Sequence, residues 1–170
     1  MSGQTDMLEF IEWPSVECLN QQPAHSVENA IKQGYRDSDV FLESDTDEQL
    51  LIHIPFNTAV KLHSLVIKGA ESKSHGPRRV KLFINKPSLG FADASDLPAV
   101  QEFELSEEDL EGKPLLLKFV KFQRVNVLTV FIEDNQGDED TTRVQKIALF
   151  GQGGETMNVN EIKKVGEEDK

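Results

Sequence analysis

Cysteine is nearly absent: Cys18 is alone in 170 residues, which excludes an intrachain disulfide, a Cys-x-x-Cys redox pair and a cysteine-based zinc site. Tryptophan and tyrosine occur once each, as Trp13 and Tyr35, and both precede the strand-rich part of the chain. Rings that serve sugars as stacking platforms are therefore scarce. No run approaches the ~18 apolar residues that a membrane span needs. The opening MSGQTDMLEFIEW carries acids where a secretory signal needs a basic start, and no Asn-x-Ser/Thr sequon occurs. Phosphate-binding glycine motifs of the GxxxxGK[ST] and GxGxxG kinds are missing as well. Basic residues are few: 18 against 30 acidic ones leave a net charge of −12, which disfavours a nucleic-acid or anionic-membrane partner. These absences place the chain in reducing cytosol, with the nucleus as a second compartment.

What is present is a period-two pattern. In LLIHIPF, Leu50, Ile52, Ile54 and Phe56 alternate with Leu51, His53 and Pro55, predicting a strand with one buried face and a proline that marks an edge or a bulge. DVFLES, AVKLHSLVIKG, RRVKLFIN, AVQEFEL, PLLLKFVKFQ, RVNVLTVFIED and RVQKIALFG repeat that character, separated by Phe56-Asn57-Thr58, SKSHGP, NKPSLG and EDNQGDED. Many short strands without long helices between them predict an all-β, antiparallel β-sandwich of jelly-roll type. Short helices are expected over Met7 to Ile11, capped by Asp6 and stopped by Pro14, and over HSVENAIKQG, capped by Ser26 and ended by Gly34. LSEEDLEG reads as a helical turn between Ser106 and Gly112. The expected organisation is an N-terminal segment over 1–23, a sandwich over 24–152 and a mostly disordered tail over 153–170.

Charge is unevenly spread. Residues 43–48, 102–111 and 134–140 hold 14 of the 30 acids, while 61–86 and 113–124 hold 11 of the 18 basic residues. Acids collect in loops and cations on strands, a polarisation suited to orienting a protein partner. The candidate contact residues are Asp45, Asp47 and Glu48 in one loop and Asp138, Glu139 and Asp140 in another. Arg78, Arg79 and Lys81 are expected to form an opposite, basic patch.

Catalytic chemistry finds little support. Cys18 with His25, His53, His63 or His75 carries no local nucleophile–base signature, and a small, partly buried thiol is the simpler reading. His53 and His63, the only pair in neighbouring strand patterns, supply too few ligands for zinc. An EF-hand loop starting at Asp134 needs Gly at position 139 and Glu at 145, where the chain has Glu139 and Gln145. A different calcium loop from Asp134, Asp138 and Asp140, or a carbohydrate held by the loops, is the alternative function. No enzyme activity and no cofactor are expected.

Several phrases, in order over almost the whole chain, carry a family resemblance: ECLN at 17–20, FLESDTDEQLLIHIPFNTAVKLHSLVIKG at 41–69, GPRRVKLFINKP at 76–87, LKFVKFQRVNVLTVFIEDNQGDEDTTRVQKIALFG at 117–151 and MNVNEIKKV at 157–165. Together they resemble the PITH domain, named for proteasome-interacting thioredoxin-like proteins. The resemblance implies a jelly-roll sandwich similar to galactose-binding-like domains. It also implies an interaction module whose partner is the regulatory particle of the 26S proteasome; separately, a monomer is expected. Redox activity of a fused thioredoxin domain does not carry over, because this chain has no Cys-x-x-Cys. ESDTDEQLL at 43–51 and NQGDEDTTR at 135–143 both fall inside the resembling phrases. The GEEDK end departs from the family's more basic ends.

Overall fold

A computed structural model describes residues 5–32, 40–86 and 88–153. Among the described residues nine strands form in chain order: β1 (Thr5–Asp6), β2 (Glu17–Leu19), β3 (Leu42–Glu43), β4 (Leu50–Gly69), β5 (Arg79–Ile84), β6 (Gln101–Glu104), β7 (Leu115–Leu116), β8 (Val125–Ile132) and β9 (Arg143–Gly153). Every strand pairing is antiparallel. The only α-helices among the described residues are α1 (Glu28–Ile31) and α2 (Phe91–Asp96). The all-β expectation holds.

β4 organises the sandwich. Its first arm pairs Leu50 with Ile132 and Pro55 with Val127, and its second arm pairs Gly69 with Val144. Val60 pairs with both Val125 and Gly153, so it is the apex from which the two arms return to the same end of the molecule. The Phe56-Asn57-Thr58 turn signal becomes this corner. The ladder breaks register between Pro55 and Val60, the bulge that the proline announced. The first arm lies between β2 and β8, with β5 and β6 beyond; the second lies between β7 and β9, with β1 and β3 on the far side.

Between the layers lie Leu50, Ile52 and Ile54 from the first arm, Leu62, Leu65 and Ile67 from the second, and Leu128, Val130 and Ile132 from β8. Residues of opposite parity form a second cluster, Leu51, Phe83 and Phe131, covered by Leu89 and by Ala94 of α2. The first arm of β4 and the second half of β8 are therefore buried on both faces, which is why these two strands read as nearly continuous apolar runs. His53 belongs to the covered face. Its Nε2–H donates to the Leu89 carbonyl at 3.0 Å, since a carbonyl only accepts, and Nδ1 meets the Thr129 hydroxyl at 2.9 Å.

Local expectations fare unevenly. The sheet begins at Thr5 rather than residue 24, because β1 and β2 add to β9 and β4. The first helix is a 3-10 turn, Leu8–Phe10, and its N-cap is Met7, with no side-chain cap, rather than Asp6, which lies one residue further out and accepts the Leu8 N–H at 3.2 Å. Pro14 sits inside a second such turn, Trp13–Ser15, instead of ending the first. The helix α1 is four residues long; its Val27 N–H is capped by Gln21 Oε1 at 2.8 Å, and Gly34 lies outside the described residues. Ser106 and Asp109 exchange hydrogen bonds of 3.2 and 2.9 Å, but the stretch is a hydrogen-bonded turn and not the expected helical one, with Gly112 at φ 109°. PLLLKFVKFQ supplies only the two residues of β7 and then a 3-10 turn, Phe119–Lys121. α2 carries no sequence signal, since six residues cannot show helical periodicity. The tail from residue 154 onward lies outside the described residues.

Candidate interaction surface

Both ends of β4 lie beside the acidic loops, which two asparagine side chains and the carboxylates of Glu43 and Asp134 organise. Asn20 sits at φ 72°, a left-handed conformation asparagine tolerates better than most residues. Its Nδ2 donates to Gln49 O at 2.7 Å and Asp47 Oδ1 at 2.8 Å, while Oδ1 accepts from Thr46 N at 3.0 Å and Thr46 Oγ1 at 2.9 Å. One side chain thus closes the 45–49 loop. Asn135, 3% exposed, does the same for the second loop: Nδ2 donates to Glu139 O (3.0 Å), Thr141 O (3.1 Å) and Thr142 Oγ1 (3.2 Å), and Oδ1 accepts from Glu139 N (2.8 Å). At the other end of the sheet Asn85, at φ 59°, accepts from Asn126 N at 2.8 Å and donates to Arg124 O at 3.1 Å.

The two loops are then tied to each other. Thr142 Oγ1 donates to Glu48 O at 2.6 Å, Thr142 N donates to Ser44 Oγ at 2.9 Å, and Ser44 N donates to Thr142 O at 3.0 Å. Buried Glu43 accepts from Thr141 Oγ1 at 2.7 Å and Arg143 Nε at 3.0 Å. Arg143 also lies over the Phe41 ring at 5.4 Å, and His25 stacks on the ring with centroids 4.4 Å apart. Burial pushes the Glu43 carboxyl upward. The two hydrogen bonds and the charges of Arg143 and His25 more than offset that, leaving it below its ordinary range.

A pH dependence follows. Because the carboxyl is held below its unfolded value, its contribution is full above the ordinary glutamate range and is lost as pH falls through the folded value. Glu43→Gln is expected to cost about 1 kcal/mol at neutral pH, with the difference from wild type shrinking toward zero as the solution is acidified below about pH 4. Urea titrations at a series of pH values check this. A constant difference across the series would mean that the charge of Glu43 does not stabilise the fold.

The expected basic patch does not stand opposite these loops. Arg78 donates to Asp134 Oδ2 at 2.9 Å and lies 3.7 Å from Glu104; the Arg79 N–H donates to Asp134 Oδ1 at 2.9 Å. Both carboxylate oxygens of Asp134 are thereby engaged, so Asp134 braces the loop from beneath instead of joining Asp138 and Asp140 as a cation ligand. Lys81 is separate, with Nζ 3.4 Å from Ser95 O in α2. Charges in sequence blocks lose their separation in space because antiparallel pairing lays the block at 78–81 directly beside β8 and its loop. Gln136 Nε2 completes the brace by donating to Pro77 O at 2.9 Å and Leu105 O at 2.7 Å, and Gly137 N donates to Ser74 O at 2.8 Å. Of the sequence candidates, Asp45, Asp47, Asp138 and Asp140 are exposed at this end, whereas Glu48 and Glu139 are half-buried.

The other candidate groups are structural in their contacts. Cys18 is a free thiol pushed up to about 12 by burial, so it holds its proton and makes a poor nucleophile. Ser72 Oγ lies 2.7 Å from His75 Nδ1, and His75 Nε2 lies 3.8 Å from Glu139. Ser72 and His75 span one 3-10 turn, so their bond closes the turn. His53 and His63 lie on different arms of β4, the first buried and the second against Phe119. No three His, Cys, Asp or Glu side chains among the described residues converge as a metal-binding group. Trp13 packs on the core beneath Lys32, 5.1 Å from its ring, and Tyr35 lies outside the described residues. No helix among them is long and apolar enough to cross a membrane.

Comparison with known proteins places these features in context. A family model described as the PITH domain matches residues 1–167. Thioredoxin-like protein 1 of Schizosaccharomyces pombe is 42% identical over 169 residues, covering 97% of this chain and 57% of that protein. PITH domain-containing protein 1 of Homo sapiens is 36% identical over 145 residues, covering 84% of this chain and 67% of that protein. The chain thus spans little more than half of the first relative. Among solved structures, the family 32 carbohydrate-binding module of Clostridium perfringens NanJ, in complex with galactose, superposes with a TM-score of 0.62. It is 8% identical and covers 86% of this chain and 98% of that one. At that identity the likeness concerns the jelly-roll fold alone.

Proposed function

Because this chain belongs to the PITH domain family, we propose that it is a non-enzymatic protein-interaction module that docks through its acidic end, with the regulatory particle of the 26S proteasome as its partner. The observation that carries this reading is the bonding of loops 44–48 and 135–142 into one braced face, with Asp45, Asp47, Asp138 and Asp140 pointing charge outward. A preformed charged face costs little ordering on binding and steers a basic partner into register. The partner identity rests on the family resemblance; cytosol or nucleus follows from it as the site of action.

Affinity purification of the tagged chain from cell extract at low salt tests the reading. Proteasome subunits should be recovered with wild type and lost with a variant combining Asp45→Lys, Asp138→Lys and Asp140→Lys. These exposed changes are expected to alter stability by no more than about 0.5 kcal/mol each. Recovery unchanged by the reversals would move the interface elsewhere. Absence of proteasome subunits with wild type, while a fused thioredoxin-like relative recovers them from the same extract, would refute the partner. Reversal of Arg78 suits no such test, because an acid there would face Asp134 and loosen the loop itself.

A further inference from the structure

Five large apolar side chains are exposed among the described residues, and three of them belong to one short stretch: Leu116 at 66%, Phe119 at 41% and Val120 at 84%. Isolated exposed apolar residues are ordinary, but a cluster on a rigid turn marks a contact surface. The turn is held on all sides. Leu62 N donates to Phe122 O at 2.9 Å, Leu117 N to His63 O at 3.0 Å, and Gln123 Nε2 to Phe119 O at 2.7 Å. His63 meets the Phe119 ring edge-on at 6.3 Å. Gln101 closes the strand edge, donating to Leu116 O at 3.1 Å and accepting from Lys118 N at 2.8 Å. That backbone is occupied, so a partner here meets side chains and does not add a strand.

The charge around the cluster is the reverse of the molecule's. Residues 113–124 contain four cations and no acid in a chain of net charge −12. Lys113 pairs with Asp109 at 3.7 Å, but no ion pair of Lys118 or Lys121 is present among the described residues. These two ammonium groups bracket Phe119 and Val120 in the sequence of the turn. The patch lies toward the Val60 apex, at the far end of the strands from the acidic loops.

We propose that Leu116 and the turn Phe119–Lys121 form a second docking surface whose occupant is a short protein segment presenting carboxylates beside apolar side chains. The apolar cluster supplies the contact area, and the two lysines select acids on either side of it. A short segment is favoured over an anionic membrane by range. Within a screening length of about 8 Å it meets the local cations, whereas an extended sheet of anionic charge also meets the rest of a chain of net charge −12.

The probe is a fluorescein-labelled peptide alternating aspartate pairs with leucine and phenylalanine, titrated with the full chain and followed by polarisation. Wild type should bind it, and Phe119→Ser with Val120→Ser should weaken binding about tenfold. Lys118→Glu with Lys121→Glu should weaken it comparably and remove its salt dependence, with melting unchanged in the lysine pair and lowered by only a few degrees in the serine pair, where the Phe119 contact with His63 is lost. Asp138→Lys with Asp140→Lys should leave it intact, so this surface and the acidic face succeed or fail separately. The proposal is overturned if the same peptide with lysines for aspartates binds equally, or if neither patch variant weakens binding. Co-sedimentation with phosphatidylserine–phosphatidylcholine vesicles in place of peptide binding overturns it in favour of a membrane. Self-association abolished by the patch variants, or tighter patch binding by a synthetic peptide of residues 154–170, overturns it in favour of a second copy or the chain's own tail.

Discussion

Gly151→Ala is expected to destabilise the protein by on the order of 4 kcal/mol, lowering Tm by roughly 10 °C. Gly151 lies within β9, opposite Leu62 of β4 and Thr5 of β1. A Cβ at this position would overlap the Lys61 carbonyl oxygen and crowd Leu62 Cα, both backbone atoms. No rotamer change relieves such a clash; the β4 arm, already irregular between Leu62 and Ser64, would have to move away from β9. That displacement would reach the interior through Leu62 and Leu149. Gly90→Ala is the control, since nothing lies within 4 Å of a Cβ there, and it is expected to cost no more than about 1 kcal/mol. Calorimetric melts of the two variants make the comparison. Equal, small shifts would show that β4 and β9 separate without cost at this point.

Asn135→Ala is expected to cost about 3 kcal/mol. The substitution leaves the Glu139 N–H and the Glu139 and Thr141 carbonyls without their side-chain partner, in a loop that has no strand ladder to take its place. Thr142 loses one partner but keeps Glu48 O, so the tie between the two loops is weakened and not cut. Asn135→Asp should be worse than Ala, because a carboxylate keeps the bond from Glu139 N but faces two carbonyls it cannot donate to. Urea unfolding measures both, and hydrogen exchange of the 135–142 amides locates the loosening. A cost below about 1 kcal/mol for both variants would mean that water replaces the asparagine and that the acidic face is not braced from within.

The jelly-roll class was legible because period-two burial is local: Leu50, Ile52 and Ile54 announce a strand without reference to anything else in the chain. Even the corner of β4 was signalled, by Pro55 and Phe56-Asn57-Thr58. The two acidic loops were legible as charge, and the family phrases marked both. What the loops are made of was not. Asn20 and Asn135 look like ordinary turn residues, yet Asn20 reaches Gln49, 29 residues away, and Thr142 reaches Ser44 across 98. Such bonds depend on which strand ends the fold brings together, and no spacing in the sequence encodes that.

By itself, then, the chain's composition and periodicity determined an all-β sandwich without disulfides, with a strong excess of acids. Only the tertiary structure decided which charges face outward. Arg78 and Arg79, read as an interface patch, turned out to brace Asp134, because β5 and β8 pair and a carboxylate near two cations closes on them instead of remaining in water. Lys118 and Lys121, read as strand residues, became the flanks of an exposed apolar turn, because β7 ends after Leu116 where Gln101 takes its edge. Hydrophobic patterning reports burial against an average interior, whereas the partner of a charge or an amide is set by pairwise geometry at about 3 Å, which exists only once the layers are assembled.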